Sequence, residues 1–229
     1  MNANSRITTE TEMWMHAAEL CHPLTIRYPD GELIYQEESY AAGIYLVSTG
    51  LVSESYSLQY APAQDSITEI IGRGEPIGLE VLSERLRDLH VASARAIVET
   101  ELLFFERSAF TALINKEAQF KDYFLNHLIQ RLYSLKRAAS CCGTSPSVRI
   151  AQIIAECATK TGYDSSERQR SLPYRQMRAA LSRLIGISAL KVDRIMARLP
   201  GVSIKDETIL VSLDALRYRL STGTEDKKD

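Results

Sequence analysis

One stretch limits the folds open to this chain more than any other: residues 171–211, SLPYRQMRAALSRLIGISALKVDRIMARLPGVSIKDETILV. The spacing predicts a first helix over about Arg175–Ile185, with Leu181, Leu184 and Ile185 on one face. Gly186 then allows a backbone bend that a residue with a Cβ resists. Ser188 stands where a helix N-cap is wanted, its hydroxyl able to accept from the next free N–H groups. A second helix follows over about Ala189–Leu199. It buries Val192, Ile195, Met196 and Leu199 at i, i+3, i+4, i+7, and its other face carries Lys191, Arg194 and Arg198. Pro200-Gly201 ends it. Beyond lie two alternating runs, Val202-Ser203-Ile204 and Ile209-Leu210-Val211, around the polar turn Lys205-Asp206-Glu207, which read as a hairpin.

Two short helices across a tight turn, with a hairpin behind the second, form a winged helix-turn-helix pattern, in which the second helix fits the major groove of DNA. Between Arg168 and Arg198 eight positive side chains face one acid, Asp193, a net charge of +7. Arg175, Arg178, Ser188, Lys191, Arg194, Arg198 and, in the wing, Lys205 are the candidate contacts to phosphates and base edges. An antiparallel helix pair with a solvated basic face is the alternative that the pattern alone leaves open.

Charge is divided unevenly along the 229 residues. From Thr144 onward there are 15 Lys and Arg against 10 Asp and Glu, a net +5; residues 1–143 hold 12 against 19, a net −7. An acidic part joined to a basic part suggests two tasks, with polyanion contact confined to the second. Hydrophobic residues make up 45% and charged residues 24%, ordinary for a globular protein with real cores. No apolar run approaches a membrane span and the N-terminus lacks a signal pattern, so a cytoplasmic location without membrane contact is expected. Cys21, Cys141, Cys142 and Cys157 include no C-x-x-C and no zinc spacing.

In chain order, Trp14, Ala17, Ala18 and Cys21 form the packed side of a short helix; His16, Cys21 and His22 nearby suggest surface packing before any metal. Residues 24–107 are short strand-like runs broken by Pro29-Asp30-Gly31, Thr49-Gly50, Pro62 and Gly72-Arg73-Gly74, the pattern of a β-sandwich or barrel. A long helix is expected from Ser108 to about Ala139. Leu125, Leu128, Leu132, Leu135, Ala139 and Cys142 repeat along it at 3, 4, 3, 4, 3, a narrow seam suited to a twin across a two-fold axis. Phe120, Phe124 and Ile129 are a second face for the chain's own barrel. Gly143-Thr144-Ser145-Pro146 is the expected linker, Val148 to about Thr161 a helix, Gly162–Glu167 a polar loop, and the chain from Thr222 a charged tail. The expected division is an α+β chain with a β jelly-roll effector-type domain (1–107), a long dimerisation helix and hinge (108–143), a winged helix-turn-helix domain (144–221) and a disordered tail (222–229).

Taken in order, these features resemble the cyclic-AMP receptor protein and fumarate–nitrate regulator (CRP/FNR) superfamily of bacterial transcription factors. The carriers are Gly31-Glu32, Ile44-Tyr45-Leu46-Val47-Ser48-Thr49-Gly50-Leu51-Val52, Gly72-Arg73-Gly74-Glu75-Pro76-Ile77-Gly78, Ala94-Arg95-Ala96 and Leu102-Leu103-Phe104-Phe105, then the seam helix and the winged helix-turn-helix. The resemblance implies a homodimer with a jelly-roll effector domain of the cyclic-nucleotide-binding type, binding to double-stranded promoter DNA, and contacts to RNA polymerase.

The sequence departs from the family where ligands are held. Cyclic-nucleotide members use a Gly-Glu pair for the ribose and an Arg-Ser pair for the phosphate. Here Gly78 is followed by Leu79, with Glu80 one place later, and His90-Val91 stands where Arg-Ser would; Arg85, Arg87 and Arg95 are out of register. Gly78, Leu79, Glu80, His90 and Val91 are thus the candidate effector pocket, and cyclic AMP is not expected as a tight ligand. An iron–sulfur cluster is not expected with Cys21 alone in its region, nor haem with His90 the sole barrel histidine, and no cofactor or metal is predicted. In the second helix the family's base-reading positions fall on Ala189, Leu190 and Arg194; Arg194 alone suits bidentate contact to guanine. Ser182 stands where a small Ala is usual. Cys141-Cys142 lies at the hinge, with Cys142 on the seam, a candidate redox pair against the plainer reading of idle thiols. A barrel without any effector is a further expectation. The alternatives are a cupin-like metal enzyme, for which His16, His22, His90 and His127 are too scattered, and a protein-interaction module that does not touch DNA. A non-enzymatic chain is expected.

Overall fold

The computed structural model describes residues 10–58, 61–83, 88–140, 144–160 and 169–222. Helix α1 (Glu10–Cys21) leads into β1 (Leu24–Tyr28), β2 (Leu33–Tyr35), β3 (Gly43–Thr49), β4 (Leu51–Leu58), β5 (Ala61–Gly72), β6 (Pro76–Ile77), a 3-10 turn at Leu79–Leu82, β7 (Ser93–Ala96) and β8 (Thr100–Glu106). The strands form two antiparallel four-stranded sheets, ordered β1-β8-β3-β6 and β2-β7-β4-β5. Each sheet draws on both halves of the strand series, the double Greek key of a jelly roll. Ile34, Val47, Val52, Ile71, Ile77 and Leu102 fill the space between the sheets.

A second core sits where helices cover the barrel. Met13, Trp14 and Ala17 of α1 are buried with Ile44, Phe105 and Phe110, and Cys21 packs against them half-buried. The Trp14 ring lies within 6.3 Å, centroid to centroid, of Phe105, Phe110, Phe120, Tyr123 and Phe124. The helix expected as one rod from Ser108 is two: α2 (Arg107–Lys116) and α3 (Ala118–Ser140). Glu117 leaves the helical conformation (φ −102°, ψ 88°) while its N–H still donates to the Leu113 carbonyl. Phe110 and Leu113 of α2 and Phe120 and Phe124 of α3 enter the same core, so the chain turns between them. Ile129 does not join Phe120 and Phe124 on the barrel side. It is exposed, whereas Leu128, assigned to the seam, is half-buried against the N-terminal core. The helix's rotation decides this, since the barrel-facing stripe passes through Phe120, Phe124 and Arg131.

The C-terminal part comprises α4 (Pro146–Lys160), β9 (Gln169–Pro173), α5 (Tyr174–Ile185), α6 (Ala189–Met196), β10 (Val202–Lys205), β11 (Thr208–Ser212) and α7 (Leu213–Thr222). The hairpin expected at 202–211 is present, but β9, absent from the sequence reading, pairs with β11 and makes a three-stranded sheet ordered β10-β11-β9. Helix α7 is a further addition to the sequence reading, and it carries regular structure as far as Thr222. The Gly162–Glu167 loop, Cys141, Cys142 and the tail 223–229 lie outside the described residues.

Barrel residues Leu51, Ile70 and Ile97 join the C-terminal core beside Ile154, Met177 and Leu181. At the same junction Gly72 admits α4: a Cβ there would come within 2.5 Å of Lys160 Cβ. The Lys160 ammonium pairs with Glu75 at 2.9 Å and donates to the Ile70 carbonyl at 3.2 Å. Gln176 of α5 donates to Asp30. Among the described residues no helix is long and apolar enough to cross a membrane.

Candidate functional site

Three places carry the chemistry: the outer face of α6, the interior of the barrel, and the open face of α3. At the first, α5 begins with the Tyr174 N–H donating to the Glu207 carbonyl at 2.9 Å, so the β10–β11 turn caps the helix. It ends at Gly186, in the left-handed region (φ 75°). The Ser182 hydroxyl donates to the Ile187 carbonyl at 2.6 Å, and the Ser182 carbonyl accepts from Gly186 and Ile187. The polar Ser182 thereby closes the turn, a role its position alone does not reveal. Ser188 caps α6, accepting from the Lys191 N–H at 3.3 Å.

Val192 and Met196 seat α6 in the core, and Ile195 is half-buried. Leu190, Lys191, Arg194, Ala197 and Arg198 are exposed on the other side, and Ala189 is half-buried at the helix start. Arg175 is exposed and lies 3.8 Å from Glu207; Lys205 is exposed at the hairpin tip. Arg178, expected to reach DNA, is instead engaged within the chain: its Nε donates to Asp193 at 2.7 Å, and the Tyr174 hydroxyl donates to the same oxygen at 2.8 Å. The Arg178 hydrogen bond holds the Asp193 carboxyl below its usual value. The single acid of the basic stretch is therefore neutralised internally, and the charges that α6 leaves open to solvent are cations.

Inside the barrel, Gly78, Glu80 and His90 come together. A Cβ on Gly78 would lie 3.5 Å from the His90 ring, and His90 Nδ1 pairs with Glu80. Leu79 packs instead against the N-terminal core, and Val91 is half-buried. The His90 side chain is 2% exposed. Its ring stacks on Tyr35 with centroids 3.7 Å apart and planes 5° from parallel. The Tyr35 hydroxyl donates to Glu54 at 2.8 Å. Arg131 of α3, not among the residues that the sequence singles out, completes the group. Its Nη2 donates to Glu69 at 2.8 Å and lies 3.7 Å from Glu54, while Nη1 donates to the Pro76 carbonyl. Burial pushes the Glu54 carboxyl up, opposed by Tyr35 and Arg131. Burial also lifts the Tyr35 hydroxyl well above its ordinary value, with Glu54 and Glu80 adding to it. For Arg131 burial acts downward, but Glu69 and Glu54 outweigh it and hold the guanidinium charged. The signal in the sequence is an arginine on the stripe that begins with Phe120 and Phe124.

On α3, Leu125 (55%), Ile129 (42%), Leu132 (50%) and Leu135 (39%) are exposed in the single chain, and Tyr133 beside them also faces solvent. Ala139 and Cys142, the remaining seam positions, lie outside the side chains described. Cys157 is fully buried, which pushes its thiol up to about 12. Cys21 donates to the Ala109 carbonyl at 3.6 Å, and burial raises its thiol too. Among the described residues no group of three His, Cys, Asp or Glu side chains could hold a metal ion.

Residues 25–117 match the cyclic nucleotide-binding domain family. The match ends one residue past α2, so it spans the jelly roll and α2 and leaves α1 outside. No curated protein sequence matches the chain. Among solved structures, FixK2 from Bradyrhizobium japonicum is similar over 90% of this chain and 99% of its own, at 20% identity and a TM-score of 0.71. A CRP-family transcriptional regulator from Thermus thermophilus is similar over 86% and 96%, at 16% identity and 0.67. CLP from Xanthomonas campestris, described as a c-di-GMP-responsive global regulator, is similar over 86% and 98%, at 20% identity and 0.63. Over nearly its whole length the chain thus shares the fold of these three proteins.

Proposed function

We propose that the chain is a sequence-specific, DNA-binding transcriptional regulator of the CRP/FNR type. It acts as a homodimer on a palindromic promoter site and does not depend on cyclic AMP. The observation that carries this is α6: a capped helix packed on α5 across the Gly186 turn, with Lys191, Arg194 and Arg198 exposed and a hairpin behind it. In this reading α5 and α6 are the helix-turn-helix and β10–β11 the wing. Arg194 reads a base edge, Lys191, Arg198, Arg175 and Lys205 meet phosphates, and Arg178 positions α6 through Asp193. The apolar face of α3 pairs with its twin, so that two copies of α6 meet two half-sites. RNA polymerase is a further partner in this reading.

The barrel supports independence from cyclic AMP on charge. Among the described residues, Glu54 and Glu69 pair with Arg131 and Glu80 pairs with His90, so the cationic groups there already have carboxylate partners and a phosphate diester brought among the three carboxylates is repelled. Selection of bound DNA from a random pool, with no added ligand, tests the function. A palindromic site that wild type enriches and Arg194→Ala loses is the expected result. No enrichment with reductant, oxidant or cell extract added refutes it and favours the protein-interaction alternative.

A further inference from the structure

We propose that the barrel carries its own ligand: the guanidinium of Arg131 occupies the interior and holds α3 to the jelly roll as an effector otherwise would. This rests on the reading of the chain as a regulator that does not depend on cyclic AMP and gives that independence a cause. Arg131 reaches across from α3 to three strands of the barrel. It pairs with Glu54 on β4 and Glu69 on β5 and donates to the carbonyl of Pro76 on β6. A planar fork with several N–H donors suits this arrangement, which satisfies two carboxylates and a carbonyl from one side chain; an ammonium is a point charge and matches it less well. The contacts continue inward. Glu54 accepts from Tyr35, Tyr35 stacks on His90, and His90 pairs with Glu80 beside Gly78. Glu80 and His90 of the candidate pocket are thus linked to Arg131 through polar and ring contacts.

The position of Arg131 on its helix gives the network an output. Phe120 and Phe124 lie on the same barrel-facing stripe, and the opposite stripe is the exposed apolar face of Leu125, Ile129 and Leu132. Seating the guanidinium fixes the rotation of α3 and so the direction in which the seam faces. The three carboxylates would repel one another and loosen α3 if the cation were removed.

The test uses the full chain. Arg131→Ala is compared with wild type by thermal unfolding and by DNA binding, with and without millimolar methylguanidinium chloride and against sodium chloride at equal ionic strength. The expected result is a fall in Tm of about 10 °C, reversed saturably by methylguanidinium and not by sodium, with wild type unaffected by either. DNA affinity falls about tenfold and recovers with the same probe. A charge-matched pair of changes, Arg131→Met with Glu69→Gln, guards against simple misfolding: it is expected to stay folded yet keep the DNA defect. The proposal is overturned if Arg131→Ala keeps wild-type Tm, if methylguanidinium restores nothing, or if the charge-matched variant binds DNA as wild type does. It is also overturned if micromolar cyclic AMP stabilises wild type. Should wild type bind no DNA at all, the regulator reading fails while the methylguanidinium rescue of Tm still decides the internal ligand.

Discussion

Replacing Leu132 with Asp separates the packing of α3 on the barrel from its proposed pairing with a twin most sharply. The Leu132 side chain is 50% exposed in the single chain and lies between Ile129 and Leu135 on the open face. Its removal costs an isolated copy little, within about 0.5 kcal/mol as for surface substitutions generally. Across a two-fold axis the same change acts twice. Full burial of a leucine contributes about 2 kcal/mol, so the exposed half is worth about 1 kcal/mol per copy on pairing. The new carboxylates add repulsion and desolvation where they meet. A total of about 3 kcal/mol weakens the dimer roughly a hundredfold. Sedimentation equilibrium at several concentrations measures the shift, and circular dichroism at high dilution measures the fold of the single chain. The reasoning fails if wild type sediments as a monomer at high concentration, or if Leu132→Asp leaves the dimer constant unchanged.

Four other substitutions or conditions have defined outcomes. Arg194→Ala removes an exposed cation from α6 and should weaken specific DNA binding by about 1–3 kcal/mol without changing Tm; fluorescence anisotropy with a selected site reads the loss. Gly186→Ala places a Cβ where nothing lies within 4 Å, but at φ 75°, so the cost is backbone strain alone. It should be about 1 kcal/mol in urea unfolding, and Gly186→Asn should recover part of it. Asp193 has its carboxyl held down by Arg178, so its stabilising effect is complete above the ordinary value of 3.8 and disappears as acid titration passes below it. Asp193→Asn should therefore lose stability relative to wild type at neutral pH, and the two unfolding curves should converge in acid. Cys157, buried and with its thiol at about 12, should resist a thiol reagent at about pH 8 until the protein unfolds; labelling of the folded chain at Cys157, located by peptide mapping, contradicts that burial.

Much of the proposed nucleic-acid face is readable because its signals are local. Gly186, the Ser188 cap, the apolar period through Val192 and Met196 and the basic residues between them lie within one short stretch, and helix geometry alone puts them on opposite faces. Strand β9 escapes a reading by pattern because Leu172 is the one buried residue between Arg170 and Pro173, and the strand contains a proline. Its pairing is with β11, far along the chain. Arg178 reads as a DNA contact because its charge is visible and its partner is not: Asp193 becomes its neighbour only when α5 and α6 pack. In the barrel, Glu80 and His90 are located through a resemblance, whereas Tyr35, Glu54, Glu69 and Arg131 come from four separate elements with no common spacing.

The order of the architecture, the asymmetry of charge and the existence of a capped, basic, amphipathic helix after a glycine turn are legible in the amino-acid order alone. These follow from periodicity and backbone preference, which act over a few residues. Tertiary structure decided which cations remain free for a partner and which are consumed, and it turned α3 so that Arg131 enters the barrel while Ile129 faces outward. Burial and pairing of charge are properties of the assembled interior, where a carboxylate and a guanidinium distant in sequence must meet to leave water.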